Sequence, residues 1–147
     1  MSSRNEMTLT FLSRPENEAF ARVVIAAFAV QLSPTVAEIA DIKTAVSEAV
    51  TNAIVHAYNG TTGIITMHAY MTGHATLNVE IRDEGKGIPD IGKAMEPFYT
   101  SRPDQERSGM GFAVMQTFMD GLEVESEIGQ GTVVRMRKKI NACIPVQ

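Results

Sequence analysis

The sequence predicts an α/β protein, a two-layer sandwich with helices on one face of a mixed, mostly antiparallel sheet. Three observations lead there. Short segments alternate apolar and polar residues with a period of two. Two longer segments repeat apolar residues at helical spacing. Short glycine-containing turns join consecutive strands, which requires antiparallel neighbours, because a parallel pair needs a longer crossover.

Met7, Leu9 and Phe11 alternate with polar neighbours and predict the first strand. Ser13-Arg14-Pro15-Glu16 has the form of a capping box with proline in the first turn, so a helix is expected from there to about Leu32. Thr35-Val36-Ala37-Glu38 is a second such box. The helix it opens carries Ile39, Ile42, Val46, Ala49, Val50 and Ala53 on one face and should end near Tyr58, before Asn59-Gly60. Ile65, Met67, Ala69 and Met71 share one parity; Leu77, Val79 and Ile81 form the next core face, across a hairpin turn at Thr72-Gly73-His74. A glycine-rich stretch from Asp83 to Pro89 and a polar one from Tyr99 to Ser108 follow. Gly109-Met110-Gly111 opens a short apolar helix through Met119. Two last strands, about 122–127 and 132–138, are joined by Ile128-Gly129-Gln130-Gly131.

A chain of 147 residues is one domain, 1–147, large enough to bury a core without staples. Its 44% hydrophobic and 20% charged residues are ordinary for a soluble globular protein. The net charge of -4 argues against direct nucleic-acid binding, which relies on basic surface. The basic run Arg135-Met136-Arg137-Lys138-Lys139 reads as a solvated strand edge. A single cysteine, Cys143, excludes an internal disulfide and fits a reducing cytoplasm. The longest apolar stretch, Val23 to Val30, falls far short of the ~20 residues that span a bilayer. No basic segment of the kind that opens a signal peptide begins the chain. A cytoplasmic protein with no membrane association is expected.

Asp83 continues the parity of Leu77, Val79 and Ile81, so its carboxylate is expected to face the core, where it is costly unless something donates to it. Two sources of donors stay open: the amides of Gly85 or Gly87 in the turn that follows, or the exocyclic amine of adenine. On the second helix Glu48, Asn52 and His56 stand at i, i+4 and i+8. They form a solvated polar stripe, or Asn52 ligates Mg²⁺ while Glu48 accepts a proton from an attacking hydroxyl or water. His56 reads as structural, favoured by the helix dipole in the last turn. Gly109 and Gly111 at a helix start leave amides for phosphates. The stretch with Thr100, Ser101, Arg102, Arg107 and Ser108 is a surface loop or a segment that folds over a ligand, with Arg107 placed to stabilise a terminal phosphate. There is no P-loop, no H-R-D or D-F-G set and no Cys/His cluster for zinc, and Gly85-Lys86-Gly87 has the wrong spacing for a Walker lysine.

Taken in order, Glu48-x-x-x-Asn52-Ala53, Asp83-x-Gly85-x-Gly87-Ile88, Phe98, Gly109-x-Gly111-Phe112 and Gly131-Thr132 resemble the N, G1, F, G2 and final glycine boxes of the GHKL ATPase superfamily. That superfamily includes DNA gyrase, Hsp90, MutL and sensor histidine kinases. The resemblance covers about residues 35 to 139 and implies the Bergerat fold, with Mg·ATP bound between helices and sheet. It implies that Asp83 holds adenine and Asn52 holds Mg²⁺. The nucleotide-binding set it implies is Asn52, Asp83, Gly85, Gly87, Ile88, Thr100, Ser108, Gly109, Met110, Gly111, Phe112 and Thr132, with Glu48 and Arg107 as catalytic residues.

Four further stretches carry a narrower resemblance: Arg4-Asn5-Glu6-Met7; Glu16-Asn17-Glu18 with Phe20-Ala21-Arg22; Val46 to Ile54; and Arg107 to Phe112. They are similar to the anti-sigma factor serine kinases, in the branch found in spore-forming bacteria. That family phosphorylates a serine on an anti-anti-sigma partner, dimerises and sequesters a sporulation sigma factor. The resemblance implies a protein serine kinase that inhibits such a sigma factor, works as a homodimer, and binds partners through Glu18 and Arg22. From the residues alone both would be ordinary solvated positions of an amphipathic helix. The competing expectations are a non-catalytic, ATP-gated sigma-binding module, a general-stress anti-sigma kinase and a plain ATPase. The chain shows no His-Glu phosphoacceptor helix like a sensor kinase; it shows no transducer domain like gyrase or MutL, and that weighs against the plain ATPase.

Overall fold

The computed structural model describes residues 4–58, 60–95 and 111–141. Five strands, β1 (Glu6–Leu12), β2 (Ile64–Thr72), β3 (Thr76–Asp83), β4 (Gly121–Glu127) and β5 (Gly131–Lys139), form one sheet in the order β1-β2-β3-β5-β4. All four pairings are antiparallel. The helices are α1 (Glu16–Ala29), α2 (Val36–Asn52), a single-turn α3 (Ile91–Ala94) and α4 (Gly111–Phe118). The predicted two-layer α/β sandwich is the fold observed, and among the described residues α3 is an element that periodicity does not announce.

Alternation decides which face is covered. Ile65, Met67 and Ala69 of β2, Leu77, Val79 and Ile81 of β3, and Val134 and Met136 of β5 are all buried. They meet Ile25 and Phe28 of α1, Ile42, Val46 and Val50 of α2, and Met115 of α4 in one core. Each Val, Leu, Ile, Phe or Met side chain among them contributes about 1.5–3 kcal/mol relative to exposure. α2 packs against both α1 and α4, so it runs through the middle of the helical layer. Its start is the predicted capping box: the Thr35 hydroxyl accepts from Glu38 N–H at 3.1 Å, and the Glu38 carboxylate accepts from Thr35 N–H at 2.9 Å. Its end is less regular. After Asn52 the chain makes a π-helical turn, Ala53–Ala57, and stops at Tyr58 as expected. Such turns are rare and occur often at functional sites.

Three local expectations need correction. Ser13 does not cap α1, whose N-cap position is Pro15 with no side-chain bond. Ser13 is instead buried, with its hydroxyl accepting from Gly63 N–H at 2.8 Å and its N–H donating to Gly63 O at 2.8 Å. Satisfying that partly buried amide outweighs an exposed cap. The basic run is not a sheet edge, since β5 lies between β3 and β4. Lys138 has the parity of Val134 and Met136; it is buried, donates to Phe118 O at 2.7 Å and lies 3.6 Å from Asp41. The β2–β3 turn comprises Gly73, His74 and Ala75, one residue later than expected, because Thr72 still pairs with Thr76. No helix among the described residues is long and apolar enough to cross a membrane.

Candidate functional site

β3 ends where α2 ends, and the space between them is a cavity of about 350 Å³. Its walls are mostly apolar, with Ile81, Ile88, Phe112, Ile128 and Val134 prominent, and a few polar groups converge on it. That composition suits a flat heteroaromatic ligand carrying polar edges.

The polar group at the β3 end is Asp83, buried at 7% exposure. Its Oδ1 accepts two backbone amides, Gly85 N–H at 2.9 Å and Thr132 N–H at 3.2 Å. Oδ2 has no donor among the described residues. Both open readings of Asp83 are thus present in one side chain: one oxygen caps the turn, and the other remains for a ligand. Burial pushes the Asp83 carboxyl above its usual range, and the two amides oppose that shift without cancelling it. A donor from a bound molecule would restore the charged form.

The glycine turn after Asp83 is held on every side. Lys86 N–H donates to Ala57 O and Gly129 N–H donates to Lys86 O, both at 2.9 Å. Ile88 N–H donates to the Ser126 hydroxyl at 2.7 Å, and that hydroxyl lies 2.8 Å from the hydroxyl of Thr132. Close approach explains the glycines: a Cβ on Gly85 would lie 2.2 Å from Ala57 O, and one on Gly87 would lie 2.5 Å from Glu127 O. Gly87 also has φ +82°, a conformation that side chains disfavour.

The helical wall is lined by Ala49, Asn52, Ala53, His56 and Ala57. The Asn52 amide makes no hydrogen bond among the described residues. It lies against the start of α4, where a Cβ on Gly111 would be 3.0 Å from Asn52 Nδ2. A cavity-lining amide oxygen with no hydrogen bond among the described residues, beside the start of α4, fits Mg²⁺, which takes few protein oxygens and draws the rest of its shell from phosphates and water.

The structure therefore brings together Asn52, Asp83, Gly87, Ile88, Gly111, Phe112 and Thr132 in the cavity wall, with Gly85 packed just behind it. Glu48 sits one turn before Asn52, half-buried, and does not line the cavity. Glu18 and Arg22 lie on α1 away from it, with Arg22 Nε 3.6 Å from Glu18 Oε2. They are not freely solvated: Glu18 Oε2 is buried without a hydrogen bond. Thr100, Arg107, Ser108, Gly109 and Met110 lie outside the described residues. Besides apolar and small wall residues such as Ala49, Ile81 and Val134, sequence reasoning missed two polar ones among the described residues: His56, which reads as structural, and Lys86, whose spacing does not fit a Walker lysine. The i, i+4, i+8 run of Ala49, Ala53 and Ala57 was a readable signal of close approach on that helix face.

The profile of the histidine kinase-like ATPase domain matches residues 11–138. Curated relatives named anti-sigma F factor are 61% identical in Thermoanaerobacter sp. (strain X514), over 97% of this chain and 99% of the relative. The corresponding protein of Geobacillus kaustophilus is 52% identical, over 93% of this chain and 94% of the relative. The chain belongs to the anti-sigma F factor family of GHKL ATPases. Among solved structures, the RsbU and RsbW domains of Rv1364c from Mycobacterium tuberculosis share the fold with a TM-score of 0.68 at 17% identity, over 92% of this chain and 32% of that one. The mycobacterial sensor histidine kinase MprB matches with a TM-score of 0.56 at 21% identity, over 71% of this chain and 74% of that one. Membership of an ATPase family makes ATP the ligand to test in this cavity.

Proposed function

We propose that the chain is an anti-sigma factor and an ATP-dependent protein serine kinase, which binds a sporulation sigma factor and phosphorylates a serine of an anti-anti-sigma partner. The observation that carries the nucleotide part is Asp83, a buried carboxylate with one oxygen fixed by backbone amides and the other without a donor among the described residues. Adenine's exocyclic amine supplies that donor. The names of the full-length relatives support the sigma-binding part.

The roles of the described residues follow from position, and that of Arg107, outside them, from its place in the sequence just before the glycines. Asn52 would hold Mg²⁺, which when bound would supply positive charge against the phosphates. The amides at the start of α4, near Gly111, receive a phosphate oxygen. Glu48, one turn from Asn52, takes the proton from the partner's serine hydroxyl as that oxygen attacks the terminal phosphorus and ADP leaves. Arg107 stabilises the transferring phosphoryl group. On α1, Arg22 pairs with Glu18, and Phe20 and Val23 of the same helix are exposed apolar side chains, which supports a partner surface on α1. The edge position of β1 among the described strands supports a homodimer, and a sigma factor as partner supports action in the cytoplasm.

Incubation with γ-labelled ATP and candidate anti-anti-sigma proteins tests the kinase reading: label should appear on a partner serine. One observation favours a second reading. Glu48 is outside the cavity wall, as it would be in a module that binds ATP only to set sigma affinity. Nucleotide-dependent sigma binding with no transfer to any candidate would select that module. Phosphate release without any partner would select a plain ATPase.

A further inference from the structure

The geometry points to Tyr58 as a positioning residue for recognition of the purine, a role that rests on the reading of Asp83 as the adenine-binding acid. Tyr58 stands just after the π-helical turn that ends α2. Its hydroxyl accepts from Glu84 N–H at 2.7 Å and donates to Ile64 O at 2.5 Å. A phenol has one proton to give and lone pairs to receive, so both bonds form together. Burial, together with the nearby Asp83 and Glu84 carboxylates, holds the phenol pKa above its ordinary value, so the donor proton is retained at neutral pH.

The peptide being held is the one that follows Asp83. Its N–H, on Glu84, is bound by Tyr58. Its carbonyl, on Asp83, is backed by Gly131, where a Cβ would lie 2.1 Å from the oxygen. The tyrosine ring is fixed in turn by Gly63, where a Cβ would lie 2.1 Å from Cε1. Gly63 is anchored by its two bonds to Ser13. The Asp83 backbone is thereby clamped from both sides, while the Gly85 and Thr132 amides orient its side chain. Removing the hydroxyl frees one jaw of that clamp, and the direction of Oδ2 loses definition. A tyrosine that only supported the fold would weaken every nucleotide alike. A positioning tyrosine weakens only a purine that presents an amine to Asp83.

Calorimetry with ATP and ITP separates these cases, because ITP keeps the sugar and phosphates and carries a carbonyl in place of the amine. Tyr58→Phe retains the ring against Gly63 and removes the hydroxyl. Wild type should prefer ATP, and Tyr58→Phe should lose about fivefold of that preference through weaker ATP binding, with ITP affinity held within about twofold. If wild type shows no preference, or Asp83→Asn keeps it, the adenine reading of Asp83 fails and the role of Tyr58 with it. If those two behave as expected but Tyr58→Phe keeps the full preference, or loses ATP and ITP equally, the role of Tyr58 alone is overturned. Amide exchange in the nucleotide-free wild type checks the bond without a variant: Glu84 N–H should be protected, and exchange at the rate of an unbonded amide would overturn the role.

Discussion

The two ends of the cavity are built on opposite plans. At the β3 end, Asp83, Gly85, Thr132 and Ser126, from three strands and a turn, are tied together by hydrogen bonds, and Tyr58 joins them from the chain that follows α2. At the α2 end, the Asn52 amide meets no partner among the described residues and faces the start of α4. A base has a fixed shape and no charge, so the end that reads it gains from being made in advance. Phosphates and a metal bring their own charge, so the end that holds them gains from donors left open. On the proposed reading, recognition falls to the sheet and chemistry to the helix.

If that division holds, the largest effect belongs to the chemical end. Glu48→Gln should bind ATP as wild type does and lose about 10²–10⁴-fold in transfer to a partner serine, read as labelled phosphate on the partner. A matching loss of ATP affinity would erase the contrast between the ends. At the recognition end, Gly131→Ala should cost stability: Gly131 has φ +118°, and a Cβ would press on Asp83 O at 2.1 Å. A loss of about 2 kcal/mol or more in urea unfolding is expected.

Asp83 sharpens the comparison by setting function against stability. Its folded-state pKa is raised by burial, so between its ordinary value and its folded value the native state holds more protons than the unfolded one. This group's contribution is therefore greatest at acid pH, declines as pH rises through that window, and is flat above it. Asp83→Asn should remove the decline and leave the nucleotide-free protein at least as stable as wild type at neutral pH, while weakening ATP binding. The smallest effect is a control far from either end. Thr35→Ala should cost about 1 kcal/mol by losing the helix cap, with nucleotide affinity unchanged.

Much of the recognition end was legible in the sequence because strand parity is a local rule. Asp83 faces inward for the same reason as Ile81 and Val79, two residues apart each time. The Thr35 box was legible because both of its partners lie within one helical turn. The Ser13 box has the same pattern and did not form, since its competitor, Gly63, is 50 residues away. Lys138 was misread for a related reason: alternation gives a strand's two faces but not its place in the sheet, and β5 lies inside. His56 and Lys86 escaped because their place in the wall depends on the π-helical turn and on the pinning of the glycine turn to Ala57 and Gly129. Neither leaves a periodic trace.

Calorimetric titration of ATP with and without Mg²⁺, into wild type and Asp83→Asn, bears most directly on the whole account. Wild type should take up ATP more tightly with magnesium present, and the variant should lose about 10- to 100-fold in affinity. Equal affinity in the two proteins, or no uptake by wild type, would contradict it.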